Sequence, residues 1–551
     1  MVLWSNLIKL GQQGELSALE AACRHPEPVQ TQLLLRHVKK NADTQFGRQH
    51  GFGSVRTLDD FRQRVPVAGY EAFSPFIDRM LHGERNVLVA GAPVFWSATA
   101  GTTGWRKVFP ITASYMRQLQ ATMHLWVAGA LKDHPAVLSG AILHFVAPAR
   151  LDLAHDGVPI GNMSGYNYLK LPGLVVRRLA LPWQAFEPRD AAVRANVSTR
   201  MALAHPLTWL FAISSHPLHQ LLETLRAHPE ALLRDLRDGG LTADVPSELR
   251  RELAPHLLPK PELARAIQAR MRYAGGLTAR AVWPDLKLLS CWTHGPGATF
   301  LPDIMAAVPG CAVRAPAYAS SEGWFSIPQQ DGDAPGVLAL HAGFYEFIPV
   351  DDAGVARGDP LLAHELKHGS QYSMVITNGT GLARYRMDDV VAVDGFVGRT
   401  PRIRFLGKLS ANLGAVDGTT ELHAARAMEQ ACAALELEVV RWALATSARR
   451  GTTGARRYTF LLERGPGGAE TPDAALAAAL EEALQEANPS YAAARYAGRL
   501  AAVSVSRVEP GGFARVASLR VAQDGAGEPR ATIIREQAVR DLFPVAQETV
   551  P

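Results

Sequence analysis

Along the chain, apolar positions recur first at helical spacing, then in short β-rich runs, then at helical spacing again. In VQTQLLLRHVKKNADTQFG (Val29–Gly47) they fall three and four residues apart, which predicts a helix that stops at Gly47. Residues 1 to about 90 read as helices joined by turns. From about 90 to 405, runs such as NVLVAGAPVFW, AILHFVAP, LKLLSCW, GVLALHAGFYEFIPV and SQYSMVITN alternate with helical stretches. One of these stretches, SYMRQLQATMHLWVAGAL, sets Met116, Leu119, Met123, Trp126, Val127 and Ala130 on a single face. Such alternation predicts an α/β fold with mixed sheets. After about residue 408 the pattern changes to an alanine-rich helix, PDAALAAALEEALQEANPSYAAARYAG, flanked by the strand-like runs RRYTFLLER and RLAAVSVSRV. The expected division is a large domain over 1–406 and a small α+β domain over 407–551, stepping near Phe405–Lys408.

Composition narrows the function classes. The chain has 551 residues, 47% hydrophobic and 20% charged, which suits a soluble globular protein of more than one domain. A net charge of +5 is spread thinly, with no run of basic residues interleaved with aromatics, so no nucleic-acid partner is expected. The four cysteines, Cys23, Cys291, Cys311 and Cys432, are scattered and form neither a disulfide framework nor a zinc motif. The N-terminal stretch, broken by Lys9, reads as an amphipathic helix and not as a signal peptide. No apolar run approaches the ~20 residues of a membrane helix. The expectation is a cytoplasmic protein with no membrane partner, monomeric in the simplest case.

Three segments carry candidate chemistry. The first is SATAGTTGWRKVFP (Ser97–Pro110). Gly101 and Gly104 let backbone N–H groups approach an anion, Thr99, Thr102 and Thr103 add hydroxyls, and Lys107 adds a point charge. The run is not a Walker A loop, and a plain hairpin loop with a surface lysine fits it as well. The second is YASSEGWF (Tyr318–Phe325), where Glu322 is a candidate Mg²⁺ ligand, Tyr318 a flat surface for a base, and Ser320 and Ser321 polar contacts. A solvated turn is the bland alternative. The third is GLARYRMDD (Gly381–Asp389), followed nineteen residues after Asp389 by Lys408. An aspartate at a strand end can accept both ribose hydroxyls; the alternative is an ion-pair network of Arg384 and Arg386 with Asp388 and Asp389. The Met116–Trp126 stripe is more often core than pocket. Directly behind a phosphate loop it could also line a site for an apolar substrate, with Trp292 and His294 as a second wall.

Taken together the motifs resemble one family, the acyl-acid amido synthetases first named for auxin-responsive Gretchen Hagen transcripts, within the adenylate-forming enzymes. TQFGRQHGF, VPVAGYEAFSPFIDRMLHGERNVL, TAGTTGWRK, YASSEGWF, YEFIPVD, GLARYRMDDVV, WPDLKLLSCW and ANPSYAAARYAG occur in the family's order and spacing. The resemblance identifies a bacterial-type member and implies a large N-terminal adenylate-forming domain carrying the ATP and acyl-acid sites, with a smaller, mobile C-terminal domain. It implies ATP and Mg²⁺ as cofactors, and a small carboxylic acid and an amine, usually an amino acid, as substrates. The acid would be activated as an acyl-adenylate and transferred to the amine. Carried over by motif, Thr99, Gly101, Thr102, Thr103, Gly104 and Lys107 hold phosphates. Tyr318, Ser320 and Ser321 lie about the adenine, Glu322 holds the metal, Asp389 holds the ribose, and Lys408 stands at the interdomain hinge. The stripe residues Met116, Leu119, Met123 and Trp126, with Trp292, are the candidates for the acyl-acid pocket.

Two departures stand out. Thr99-Ala100 replaces the two serines usual in the family, so one hydroxyl is missing. The family's C-terminal lysine has no counterpart in GAGEPRATII (Gly525–Ile534), and no lysine follows Lys408. Arg530 or Arg515 is the available substitute, with a bulkier and differently shaped head group. Two other readings share these residues: a ligase that uses a thiol such as coenzyme A, and a nucleotide- or acid-binding protein without turnover.

Overall fold

The computed structural model describes residues 14–99, 107–188, 190–293, 298, 300–332, 335–351, 354–409, 417–437, 439–447, 456–464, 472–509, 512–513 and 533–535. Its helical lead-in differs from the sequence expectation in one place. The helix Pro26–Lys40 stops seven residues before Gly47, and a second helix, Gln45–Gln49, contains that glycine. The reason is local. Thr44 Oγ donates to the Asn41 carbonyl (2.7 Å) and accepts from Gly47 N–H (2.9 Å), so it caps the second helix. A Cβ on Gly47 would sit 2.0 Å from the Asn41 oxygen. Gly47 therefore permits a close approach and does not terminate the helix.

Among the described residues four sheets of four or more strands follow. The hairpin Pro93–Ala98/Val108–Thr112 belongs to a four-stranded sheet completed by Pro159–Gly161 and Asp152–Leu153. A parallel sheet is built from Ala141–His144, Leu207–Phe211, Leu288–Ser290 and Ala312–Val313 in sequence order. Its strands are short apolar runs buried between helices on both faces, the pattern expected of parallel strands. A seven-stranded antiparallel sheet runs Ser326–Ile327, Gly336–Leu338, Thr400–Lys408, Tyr385–Val397, Gln371–Thr377, Phe344–Pro349 and Leu361–Leu362. The last sheet comprises Ser504–Arg507, Arg457–Arg464, Val439–Ser447 and Ile533–Arg535, covered by the helices Glu421–Ala434 and Asp473–Ala487. The alanine-rich segment is two helices, because Asn488 accepts from Ser490 and Tyr491 N–H (3.0 and 3.1 Å) and starts a new helix at Pro489.

The long helix Ala113–Asp133 connects the hairpin to the parallel sheet. Its Trp126 is 1% exposed, donates its indole N–H to the Ala315 carbonyl (2.9 Å) and lies against Trp209 and Phe211. Trp126 is thus core, and its place in a substrate pocket is not supported. Met116 and Leu119 belong to a separate small cluster with Phe95, Ile111, Tyr115 and Tyr166, against which Met163 and Trp324 pack. The C-terminal sheet is tied to the rest through Arg441. Its guanidinium pairs with Glu463 on the neighbouring strand (2.8 Å), reaches Asp303 on the other side of the junction, and lies 5.3 Å from the Phe300 ring. No helix among the described residues is long and apolar enough to cross a membrane.

Candidate functional site

The site is assembled from the hairpin, a short two-stranded turn and the edge of the antiparallel sheet. At the base of the hairpin, Thr99 and Lys107 face each other: Thr99 N–H donates to the Lys107 carbonyl (2.9 Å) and Lys107 N–H to Thr99 Oγ (3.1 Å). They close the loop whose tip, with Gly101, Thr102, Thr103 and Gly104, lies outside the described residues. The Lys107 ammonium sits 5.3 Å from the Tyr70 ring and 6.0 Å from the Tyr385 ring, within cation–π range of both. It also lies 3.4 Å from the Tyr385 hydroxyl.

YASSEGWF folds as a tight hairpin, Ala319–Ser320 against Gly323–Trp324, with Ser321 and Glu322 at the turn. Ser321 Oγ donates to the Ala98 carbonyl (2.8 Å), which joins this turn to the strand leading into the glycine loop. Glu322 is 6% exposed, and Ser320 Oγ donates to its Oε2 (2.5 Å). Its backbone carbonyl accepts from Tyr115 Oη (3.2 Å) and Asn378 Nδ2 (2.8 Å). Gly379 makes that arrangement possible, because a Cβ there would sit 2.3 Å from the Tyr115 ring.

Burial raises the hydroxyl pKa of Tyr70, Tyr115, Tyr318 and Tyr385, and the negative charge of Glu322 adds to the rise in each. All four phenols therefore stay protonated. Among the described residues no group of three or more His, Cys, Asp and Glu could chelate a metal. A lone carboxylate such as Glu322 fits Mg²⁺, which commonly takes one or two carboxylates beside phosphate and water oxygens.

The third segment is more strained than expected. Asp389 lies within the strand Tyr385–Val397, not at its end, but it is opposite Lys408, the last residue of the partner strand. The backbone is left-handed at Arg384 (φ 52°) and Asp388 (φ 61°), on either side of Tyr385–Met387. Such conformations cost about 1 kcal/mol or more each and persist where the surroundings fix them. Asp389 is 2% exposed, with one oxygen accepting from Tyr318 Oη and the other ion-paired to Lys408. The ion-pair network suggested for this segment is divided. Arg386 pairs with Asp388 (2.8 Å), whereas Arg384 turns away to the buried Glu346 (2.9 Å) and to the carbonyls of Arg62 (3.2 Å) and Val65 (2.9 Å).

Lys107, Tyr318, Ser320, Ser321, Glu322, Asp389 and Lys408 are thus joined by a chain of contacts, with Tyr385 beside the Lys107 ammonium. The residues that sequence reasoning passed over are Tyr70, Tyr115, Asn378 and Tyr385. Tyr70 and Tyr385 sit inside quoted motifs, but nothing in the letters says that they flank one ammonium. Met116 and Leu119 are buried next to this group through Tyr115, and Met123 is half-buried on the same helix. Trp292 lies just past the parallel strand Leu288–Ser290, its N–H on the Ile213 carbonyl (2.9 Å). His294, Arg515 and Arg530 lie outside the described residues.

Fold and site together define a mixed α/β protein with a large N-terminal part and a smaller C-terminal part, its polar site formed where a glycine hairpin meets an antiparallel sheet. The match to family models is direct: the GH3 family N-terminal domain over residues 15–313, the central domain over 336–408 and the C-terminal domain over 422–528. The chain belongs to the GH3 family. It is 27% identical over 533 residues to indole-3-acetic acid-amido synthetase GH3.8 of Oryza sativa subsp. indica, covering 92% of this chain and 87% of that one. It is 24% identical over 438 residues to indole-3-acetic acid-amido synthetase GH3.3 of Arabidopsis thaliana, covering 76% and 73%. Two solved structures share the fold: GH3.15 acyl acid amido synthetase (TM-score 0.78, 21% identity, 96% and 95% covered) and AtGH3.15 acyl acid amido synthetase in complex with 2,4-DB (TM-score 0.80, 20% identity, 97% and 96% covered).

Proposed function

We propose that this protein is an ATP-dependent acyl acid amido synthetase. A carboxylate oxygen of the acid attacks the α-phosphorus of ATP and pyrophosphate leaves. The nitrogen of an amino acid then attacks the acyl carbon of the adenylate, loses a proton, and AMP leaves. The observation that carries this reading is the set of contacts that links the three segments: Lys107 to Tyr385, Tyr318 to Asp389, Ser320 to Glu322 and Ser321 to the Ala98 carbonyl. It supplies a cation for phosphates, a carboxylate for a metal and a second carboxylate for a sugar, on three segments far apart in sequence. The relatives named as amido synthetases support the same chemistry.

Within this reading Thr99, Gly101, Thr102, Thr103, Gly104 and Lys107 grip the phosphates, and Tyr318, Ser320 and Ser321 flank the adenine. Asp389 takes the ribose hydroxyls once Lys408 releases it. Glu322 holds Mg²⁺, which when bound supplies charge neutralisation at the phosphates. Met116, Leu119, Met123 and Trp292 are offered to the acyl group. Residues from about 407 onward form a domain that moves relative to the rest, with Lys408 at the hinge and Arg530 standing in for the absent lysine. Catalysis here is mainly positioning and charge stabilisation, since the phosphoric anhydride carries the driving force.

The lysine-free tail after Lys408 motivates a second reading, a binder without turnover. Exchange of pyrophosphate into ATP, measured with a panel that includes indole-3-acetate, benzoate and 2,4-DB, separates the two. Acid-dependent exchange supports the synthetase, and exchange at buffer level with every acid favours the binder. Mass analysis of the product after adding amino acids or coenzyme A distinguishes amide from thioester.

A further inference from the structure

The stretch LKLPGLVVRR (Leu169–Arg178) has no part in the polar site, and its apolar residues lie on the outside. Among the described residues ten large apolar side chains are exposed, and three of them, Leu169 (48%), Val175 (40%) and Val176 (45%), fall within eight consecutive positions. A single exposed leucine or valine needs no explanation, but a cluster rimmed by polar groups marks a contact surface. The stretch is held out as a loop on two fixed stems. Tyr168 before it and Ala180 and Leu181 after it are buried. Tyr168 Oη donates to the Leu181 carbonyl (2.5 Å), which ties the stems together. Ile142 N–H donates to the Arg178 carbonyl (2.8 Å) and Ala180 N–H to the Ile142 carbonyl (2.9 Å), which fastens the outgoing stem to the parallel sheet. Between the stems the backbone folds back on itself, with Val175 and Val176 N–H both on the Pro172 carbonyl (2.8 and 3.1 Å). Compact surface loops with closed ends are frequently functional.

The charge of this loop has one sign. Lys170, Arg177 and Arg178 are all exposed. The Lys170 ammonium lies 5.5 Å from the Tyr166 ring and Arg178 donates to the Leu138 carbonyl (2.9 Å), contacts that leave both charges in place. No Asp or Glu occurs between Asp156 and Glu187, and the turn Pro135–Ser139 that Arg178 touches has no charged residue. An apolar tip flanked by cations is complementary to a surface with a hydrocarbon interior and an anionic skin, which is a bilayer carrying anionic lipid. A second copy of this chain fits less well. Its cations would face like cations, and a loop of ten residues falls short of the roughly 20–30 residues a side of a stable interface. A different protein also fits less well, since leucine and valine are under-represented among the residues that dominate protein interfaces.

We infer that the loop Leu169–Arg178 docks the protein on the surface of an anionic bilayer, with Leu169, Val175 and Val176 entering the headgroup–acyl boundary and Lys170, Arg177 and Arg178 meeting the lipid phosphates. This departs from the expectation of no membrane partner, because a chain with no spanning helix can still lie on a bilayer. It does not depend on the synthetase reading. The test is co-sedimentation of the full chain with vesicles of phosphatidylcholine, alone or mixed with an equal amount of phosphatidylglycerol. The parent is expected to partition onto the mixed vesicles at least about tenfold more strongly than onto phosphatidylcholine alone. Lys170→Gln/Arg177→Gln should weaken this by about twenty- to thirtyfold, at about fivefold per cation. Leu169→Ser/Val175→Ser/Val176→Ser keeps the charge and should weaken it by at least about tenfold. Arg251→Gln/Arg272→Gln removes two exposed cations elsewhere and should stay within about threefold of the parent, which measures the general attraction of a basic chain to an anionic surface. All these side chains are exposed, so each variant should keep the parent's Tm. Sedimentation equilibrium of the parent and the serine variant reports the oligomeric state. Five results would each overturn the assignment: no binding to the mixed vesicles, equal binding to phosphatidylcholine alone, parent-like binding by the serine variant, a loss in Arg251→Gln/Arg272→Gln as large as in Lys170→Gln/Arg177→Gln, or a parent dimer that the serine variant dissociates.

Discussion

Replacing Asp389 by Asn tests the nucleotide reading at its least exposed carboxylate. In the parent, Tyr318 Oη donates to one oxygen and Lys408 pairs with the other. Burial, reinforced by the Asp389 charge, raises the Tyr318 hydroxyl far above its usual range, so it remains a donor throughout the working pH. An asparagine can still accept from Tyr318 through its carbonyl oxygen. It presents an N–H₂ where Lys408 or a ribose hydroxyl needs an acceptor, and it carries no charge. The loss is one charge-assisted hydrogen bond to the sugar, worth about 1.5–3 kcal/mol, which corresponds to roughly a tenfold to hundredfold weakening of ATP. Equilibrium binding of ATP and the KM for ATP in pyrophosphate exchange should both show it, with the KM for the acid moving far less. A Tm close to the parent's separates this effect from unfolding. Lys408→Met is the companion. If Asp389 must leave Lys408 to reach the ribose, removing the lysine keeps ATP affinity or improves it. ATP affinity within twofold of the parent in Asp389→Asn would remove that residue from the sugar site.

Three further outcomes can be checked. Arg384→Met leaves Glu346, 1% exposed at its side chain, with only the half-exposed Arg62, and should destabilise the chain by about 3–5 kcal/mol in urea unfolding; adding Glu346→Leu should recover much of it, and a small loss in the single variant would mean that Arg62 alone satisfies the carboxylate. Gly379→Ala pushes a methyl into the Tyr115 ring, displaces the Asn378 bond to the Glu322 carbonyl, and should lower both Tm and exchange activity; a variant with parent-like values of both would show that the turn has slack. His216 binds a proton at about 6.5 in the unfolded chain but only at about 4 when buried, so its contribution is intact above about pH 6.5 and is lost as pH falls toward 4, by at most about 3 kcal/mol. The gap between urea midpoints at about pH 7 and about pH 5 should therefore narrow in His216→Gln, and an unchanged gap would assign the acid sensitivity to other buried groups.

The alternating β-rich runs and the helical stripe of Ala113–Asp133 were legible because each follows one period over many residues. The end of Pro26–Lys40 was not, because a threonine cap and a glycine chosen for closeness look the same in the letters as a terminator. Asn488 split the alanine-rich segment by the same kind of local capping. At the site, Lys107, Glu322 and Asp389 stood out because each is a charged residue inside a run of small or repeated letters. The phenols did not. Tyr70, Tyr115 and Tyr385 are spread over three segments, and only the tertiary fold brings Tyr70 and Tyr385 to the Lys107 ammonium and Tyr115 to the Glu322 backbone carbonyl. Trp126 was misleading in the opposite sense, since a helical face shared with Met116 says nothing about which cluster each residue joins.

The stitching of Ala68 to the strand at Tyr385, with Ala68 N–H on the Arg384 carbonyl (3.1 Å) and Arg386 N–H on the Ala68 carbonyl (2.9 Å), sets an order of events during synthesis. Tyr70 and Lys107 leave the ribosome early but must wait for Tyr385, 278 residues beyond the lysine, before their pocket has its far wall. On the nucleotide reading, a nascent chain lacks Asp389 as well until the strand at Tyr385 has emerged, so ATP would stabilise the finished N-terminal part but could not help it to nucleate.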